Sequence, residues 1–398
     1  MADQSDSAIL TGVSGLTADS RAVKPGYLFA ALQGETSDGR RFIDRAVEAG
    51  AVAILTDRLP DDQAAGLAGR VRLWLDPNPR RRLAELAAAF FGRQPDWIAL
   101  VTGTNGKTST VEFARQIWAA NGRPAASIGT LGITLPGGRE GGSLTTPDPV
   151  SLARLLAQLA AGGIEHAAAE ASSHGLEQER MSGVAARIGA FTSFSRDHLD
   201  YHKTERAYLD AKLRLFRERL PEGGAAVICA DDGFSAQAVR VAKQRRLELW
   251  TYGRKGERIR LDRRTDTPEG QRLALTVDGE PFDVLLPLAG DFQAENALAA
   301  LGIALASGVP RADAVAALAT LQTVPGRLEP AGRHASGAAV YVDYAHTPGA
   351  LEAALKALRG ATRGRLVVVF GAGGDRDTGK RPEMGRMAAS LADLAVVT

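Results

Sequence analysis

This chain of 398 residues holds a single cysteine, Cys229, so it forms no internal disulfide. That cysteine lies inside the apolar run Ala225-Ala226-Val227-Ile228-Cys229-Ala230, where it reads as a buried strand residue. Long apolar runs are also missing. None approaches the roughly 18 residues a membrane-crossing helix needs, so no membrane partner is expected. The opening MADQSDSAIL lacks the basic segment and apolar core of a signal peptide, and a cytoplasmic location is expected. Charge of one sign is not in excess. Lys and Arg number 48 against 46 for Asp and Glu, a net charge of +2, and no nucleic-acid partner follows from it. Internal repeats and low-complexity tails are absent, and a monomer is the expected state.

What the chain has in quantity is hydrophobic residues, 45%, enough for several cores. At this length two or three domains are expected. Residues 1–94 read as a small α/β unit, with strands at 27–31 and 52–56 around a helix at 42–49. The stiff turn Asp76-Pro77-Asn78-Pro79 leads into a helix at 80–91. Residues 95–324 alternate apolar runs with helical patterns, which predicts a mostly parallel sheet. Its strands fall at 98–102, 166–170, 188–192 and 225–230, and its helices at 151–161, 205–219 and 294–307. The more polar stretch 253–286 reads as an antiparallel excursion. Residues 325–398 show a strand–helix–strand–helix–strand order and end in mid-pattern, so this unit is expected to be incomplete.

The densest chemical signal is Ile98 to Thr110, IALVTGTNGKTST. A buried strand runs into a turn with Gly103 and Gly106, and a helix follows. Such a turn aims backbone N–H groups at one point, and the positive helix end adds to the field, so phosphate is favoured. Lys107 can reach the outer phosphates, and the Thr108 hydroxyl can hold Mg²⁺. The usual spacing, G-x-x-x-x-G-K-[ST], would place a glycine where this chain has Val101.

Two more polar clusters follow strands. Glu170 ends one strand, where open α/β sheets bind ligands, and its carboxylate suits a hard cation. Phe191 to Lys203, FTSFSRDHLDYHK, gathers Asp197, His198, Asp200 and His202 within six residues. The pair of clusters points to a metal and nucleotide site.

The loop TGTNGKTST resembles the phosphate loop of the Mur ligase family, the ATP-dependent amide ligases of peptidoglycan synthesis; folylpolyglutamate synthetases carry a similar loop. EASSHGLEQER, SRDHLDYH, VDYAHTPGALEAAL and GGDRDTGKRP occur in the order found in the Mur ligase that adds the third amino acid, usually meso-diaminopimelate. The segment ADSRAVKPGYLFAALQGETSDGRRF looks like that enzyme's UDP-binding domain, so the similarity runs from about Leu16 to Thr398. The resemblance implies three domains: a UDP-binding domain (1–94), a P-loop-type ATP-binding domain (95–324) and a Rossmann-like acceptor-binding domain (325–398). It implies an amide ligase that uses ATP and two Mg²⁺ ions to join an amino-acid acceptor to a UDP-muramoyl dipeptide.

Site roles follow by resemblance. Ala18, Ser20, Glu35, Thr36 and Ser37 match the positions that hold the uridine end. Thr145, Thr146, Ser172, Gln178 and Arg180 match contacts to the muramoyl dipeptide. Gly103, Thr104, Asn105, Gly106, Lys107, Thr108 and Ser109 match the ATP loop, and Asn296, Arg327 and Asp343 match further nucleotide contacts. Glu170 and His198 match Mg²⁺ ligands. Lys212 matches a lysine that the family carbamylates, although its pattern alone is that of a helix-surface lysine. Lys107, Lys212 and His198 form the implied catalytic set, and Arg376 matches an arginine that contacts the acceptor.

The chain departs from the family pattern at Ser193 and Gln293, where relatives often carry Asn, and at Ala372, where Cys is frequent. The longer amide of Gln293 is expected to reach a base or ribose. The D-N-P-R motif that selects diaminopimelate would fall after Thr398. Four alternatives stay open from the sequence: lysine as acceptor, a folylpolyglutamate synthetase-like ligase, a P-loop ATPase switch that makes no bond, or an inactive truncation product.

Overall fold

The computed structural model describes residues 4–34, 37–141, 145–373 and 378–398. The chain divides into two compact units. One comprises residues 1–95, 147–163 and 174–185, and the other 96–146, 164–173 and 186–398.

The first unit carries a four-stranded parallel sheet in the order β1 (Gly15–Thr17), β2 (Tyr27–Ala30), β3 (Ala53–Thr56) and β4 (Arg72–Leu75). Every residue of β3 is buried, as a strand covered on both faces should be. The predicted turn at 76–79 proves to be a helix start. Asn78 accepts from the Arg81 N–H and Pro79 fills the first helical position, so the helix Pro79–Phe91 begins one residue early. This helix packs against the helix Pro149–Ala161 through Leu83, Leu86, Val150 and Ala153.

The second unit is built on an eleven-stranded sheet. Its strands are β5 (Trp97–Thr102), β6 (Ala125–Gly129), β7 (Gly132–Leu135), β8 (Gly138–Glu140), β9 (His166–Glu170), β10 (Ile188–Phe191), β11 (Ala225–Cys229), β12 (Glu248–Gly253), β13 (Ile259–Thr267), β14 (Gly270–Val277) and β15 (Glu280–Leu286). Their spatial order is β15-β14-β13-β12-β11-β10-β5-β9-β6-β7-β8. The stretch from β13 to β6 is parallel, while β13-β14-β15 and β6-β7-β8 are antiparallel edges. The excursion expected at 253–286 is thus a three-stranded antiparallel edge. The core helix Asp291–Ala306 is apolar on nearly every side, from Ala297 to Leu305, and is buried accordingly. Cys229 is buried in β11, and burial pushes its thiol up to about 11. The helix expected at 205–219 is α-helical only through Arg214; a π turn, Leu215–Arg219, finishes it with Leu215, Phe216 and Arg219 all buried. Residues 326–398 add the antiparallel pair β16 (Glu329–Arg333) and β17 (Ala339–Val342) and the parallel pair β18 (Val367–Phe370) and β19 (Leu394–Val397). No helix among the described residues is long and apolar enough to cross a membrane.

His166, the first residue of β9, is buried beside Trp118, ring centroids 5.2 Å apart, with Arg123 Nη1 3.3 Å from its Nε2. Burial first, and then the Arg123 charge, push the imidazole down to about 4. An unfolded histidine takes up a proton near 6.5. Between those two values the unfolded chain binds a proton that the native chain does not. Stability contributed by this site is therefore present above about pH 6.5 and falls as pH drops, by at most about 1.4 kcal/mol per unit. A His166→Gln variant should lose less stability than the parent between about pH 7 and pH 5 in urea unfolding. Parallel losses in the two proteins would exclude this account.

Candidate functional site

Strands β10, β5 and β9 are neighbours, with Phe191 opposite Thr102 and Val101 opposite Glu170. Their carboxyl ends therefore deliver three segments to one place: the loop Gly103–Gly106, the carboxylate of Glu170 and the segment from Thr192. This is where an open parallel sheet binds ligands. A cavity of about 470 Å³ opens there, lined by residues of all three segments and by Lys212, Asn296, Arg327 and Asp343.

The loop requires its glycines. Gly103 and Gly106 have φ of 144° and 86°, values that L side chains rarely adopt. A Cβ on Gly106 would lie 2.3 Å from Asn296 Oδ1, and one on Gly103 would collide with Thr192 Oγ1. The helix Lys107–Ala120 starts on Gly106 without a side-chain cap, so its first-turn N–H groups stay open to an anion. The loop is strapped from the β10 side. Thr192 Oγ1 donates to Asn105 O at 2.6 Å, and the Thr104 N–H donates to Ser193 O at 2.8 Å. Lys107 Nζ donates to Gly103 O and Thr104 O, each at 2.9 Å, so its ammonium lies within the loop.

Glu170 is only 1% exposed. Its Oε1 accepts from Thr108 Oγ1 at 3.0 Å and from the Thr130 N–H at 2.8 Å. Arg327 Nη2 donates to the same Thr108 hydroxyl at 2.8 Å. A buried carboxylate beside a hydroxyl is a hard-oxygen donor pair, which fits Mg²⁺. The Asp197 carboxylate is buried and lies 3.4 Å from His198 Nε2; His198 adopts a left-handed φ of 52°. The four polar groups of the DHLDYH stretch do not converge. Asp197, His198 and Asp200 line the cavity, whereas His202 Nε2 pairs with Ser173 Oγ at 2.9 Å. Among the described residues, no group of three or more His, Cys, Asp or Glu side chains is placed to hold a metal by itself.

Lys212 is not the surface lysine its pattern suggested. It is 1% exposed, and Nζ donates to Gly103 O at 2.8 Å. Burial, and then the nearby charge of Lys107, hold its amine well below the ordinary lysine value. Asp343 lies across the cavity, where its carboxylate accepts from the Leu328 N–H at 2.8 Å and burial pushes it up. Gln293 is buried behind the cavity lining. Its Nε2 donates to Arg327 O at 3.0 Å, so it ties the core helix to the arginine's backbone.

The expected sugar-binding residues divide between the units. Ala18, Ser20 and Ser37 belong to the first unit, Ser20 opening the 3-10 helix Ser20–Ala22, together with Gln178, whose Oε1 accepts from Arg180 Nη2 at 2.6 Å. Thr145, Thr146 and Ser172 belong to the second, where Thr146 Oγ1 donates to Glu170 O at 3.0 Å. Glu35, Thr36 and Arg376 lie outside the described residues. Thr130 and Thr192 were not anticipated. Thr130 stands in no recognisable pattern, and Thr192, although inside the FTSFSRDHLDYHK stretch, carries no charge or ring to single it out; strand pairing brings each to the site.

Three family models match the chain in order: the Mur ligase family catalytic domain over residues 12–91, the Mur ligase middle domain over 101–304, and the Mur ligase glutamate ligase domain over 326–398. The chain belongs to the Mur ligase family. Members of this family are ATP-dependent amide ligases, and the chain is an enzyme of that kind. Its Mur ligase relatives include the UDP-N-acetylmuramoyl-L-alanyl-D-glutamate--2,6-diaminopimelate ligases of Brucella melitensis and Bradyrhizobium diazoefficiens. Each is 52% identical over 97% of this chain, covering 78% and 79% of the relatives' lengths. A solved ligase of the same name matches at 32% identity with a TM-score of 0.77, over 97% of this chain and 78% of that one. The Mycobacterium tuberculosis folylpolyglutamate synthase complexed with ADP and AMPPCP shares the fold, at 21% identity and a TM-score of 0.67 over 80% of this chain.

Proposed function

We propose that this Mur ligase joins meso-diaminopimelate to the D-glutamyl side-chain carboxylate of UDP-N-acetylmuramoyl-L-alanyl-D-glutamate, with ATP as the phosphoryl donor, as a cytoplasmic monomer. The observation that carries the ligase chemistry is one cavity holding an uncapped phosphate loop, a buried carboxylate and two lysines. The names of the relatives supply the substrates.

A carboxylate does not acylate an amine directly, because oxide is a poor leaving group. Transfer of the terminal phosphoryl of ATP to that carboxylate gives an acyl phosphate, which an amine can attack; the tetrahedral adduct expels phosphate. The protein's share is positioning and charge neutralisation. Backbone N–H groups of the uncapped first turn, Lys107–Ser109, and the Lys107 ammonium hold the transferring phosphoryl. Arg327 brings a second cation to Thr108. Asn296 and Asp343 border the nucleotide. Thr108, Glu170, His198 and Lys212 as a carbamate would hold two Mg²⁺ ions, which supply further positive charge to the phosphates. Lys212 suits carbamylation because it is buried and burial lowers its pKa, which favours the free amine, and a carbamate keeps one N–H for Gly103 O. By family resemblance, Thr145, Thr146, Ser172, Gln178 and Arg180 are assigned to the muramoyl dipeptide, Ala18, Ser20, Glu35, Thr36 and Ser37 to the uridine end, and Arg376 to the acceptor.

The direct test supplies ATP, Mg²⁺ and the UDP-muramoyl dipeptide and follows phosphate release with each acceptor. Release with meso-diaminopimelate and little with lysine is expected. Preference for lysine would move the reading to the lysine-adding reaction. ATP turnover indifferent to any carboxylate substrate would defeat it.

A further inference from the structure

Tyr208 has no part in the chemistry derived above, yet it touches three of the pieces that perform it. It lies one helical turn before Lys212 on the helix Glu205–Arg214, so both side chains leave the same face. Lys212 Nζ sits over the Tyr208 ring, 4.2 Å from its centroid. The other edges of the ring meet Phe194, His198 and His202, with centroid separations of 5.2, 5.9 and 5.2 Å. All three belong to the segment that follows β10. The side chain is 1% exposed, and its hydroxyl has come to rest 3.3 Å from Thr104 Oγ1 in the phosphate loop.

The Thr104 hydroxyl accounts for all its bonds. It donates to Ser195 O at 3.1 Å and accepts from the Ser195 N–H at 3.0 Å and from Tyr208. A hydroxyl has one donor and two acceptor sites, so nothing is left over for a phosphate. Thr104 is thus a bracket, and Tyr208 is the buried side chain that anchors it to the helix carrying Lys212.

We infer that Tyr208 is a positioning residue with two separable tasks: its ring fixes the direction of Lys212, and its hydroxyl fixes the phosphate loop through Thr104. The inference rests on the ATP-dependent ligase reading. A lysine has four rotatable bonds. A flat ring against Nζ on one side and the Gly103 carbonyl on the other leave it one arrangement. Loss of the ring frees the amine and admits water, which acts on the chemical step. Loss of the hydroxyl alone loosens the loop, which acts on nucleotide binding.

The experiment compares Tyr208→Phe and Tyr208→Leu with the parent in steady-state ligation, with the thermal midpoint of each as a check on folding. Tyr208→Phe keeps the ring. Its KM for ATP should rise about tenfold and its kcat fall less than about threefold, the scale of one hydrogen bond. Tyr208→Leu should lower kcat about a hundredfold, the cost of a small misplacement in a positioned site. A double-mutant cycle adds a measurement that survives poor folding of the leucine variant. Tyr208→Phe on a Thr104→Val background should cost nothing more for ATP, because the bracket is already open. Unchanged constants in Tyr208→Phe, additive effects in the cycle, or equal falls of kcat in both Tyr208 variants would each overturn the inference. If the parent releases no phosphate with any carboxylate substrate, the ligase reading falls and takes this inference with it; an active parent with an indifferent Tyr208→Phe defeats the inference alone.

Discussion

Lys107→Ala should lower the rate of ligation by about a hundredfold to a thousandfold, the usual cost of removing one preorganised group from a developing charge. Nζ lies 2.9 Å from two loop carbonyls, so the ammonium is held where a phosphoryl on the loop would meet it. The same two bonds suggest a lesser role, a staple that only keeps the loop folded. The two roles part in measurement. A staple lost would lower the thermal midpoint and raise the KM for ATP, with kcat little affected. A lost charge would leave the midpoint within a few degrees and strike kcat. Single-turnover formation of ADP at saturating ATP reads the chemical step directly, and a rate within about threefold of the parent would refute the assignment.

Much of this site is legible in the sequence because it is local. The apolar run of β5, the two glycines and the helical pattern after Lys107 stand next to one another, so strand, loop and helix can be read together. Glu170 is legible for the same reason, as a carboxylate closing an apolar strand. The antiparallel edge β6-β7-β8 is not. Its strands are short, and Ala125–Gly129 carries little of the β-branched and aromatic content that marks strands. The contact of Arg327 with Thr108 spans 219 positions, and no pattern in either stretch announces it. Lys212 is a case between these. By charge it reads as a solvated helix residue, yet Tyr208, Leu209, Ala211 and Leu213 around it are all buried. A lysine on the apolar face of a helix, four residues after an aromatic, was the available signal, and its charge concealed it. Only tertiary packing decides such a position, because the cost of burying an ammonium is met by neutralising it.

The lowered pKa of that amine sets up the second large effect, in which Lys212→Ala loses most activity and regains part of it with an added short carboxylic acid. Carbamate formation requires the free amine: its lone pair attacks the carbon of carbon dioxide, a C–O π pair moves to oxygen, and one N–H proton leaves to solvent. Burial and the neighbouring Lys107 favour the form that reacts. The product turns that amine into an anion with two oxygens, a ligand type that hard divalent cations prefer. Removing the side chain takes away that anion and leaves room near Gly103. Acetate or propionate in bicarbonate-containing buffer can enter that space and return a carboxylate to it. The expected loss is about a hundredfold or more, as for other charge-stabilising groups, with saturable recovery of about tenfold. Lys212→Arg should be as inactive and should not recover, because a guanidinium fills the space with the wrong charge and does not lose it at any accessible pH. Recovery in both variants would mean that the acid acts elsewhere. Full activity of Lys212→Ala without additive would show that the buried lysine is a packing element here, held by the Tyr208 ring and the Gly103 carbonyl and indifferent to the reaction.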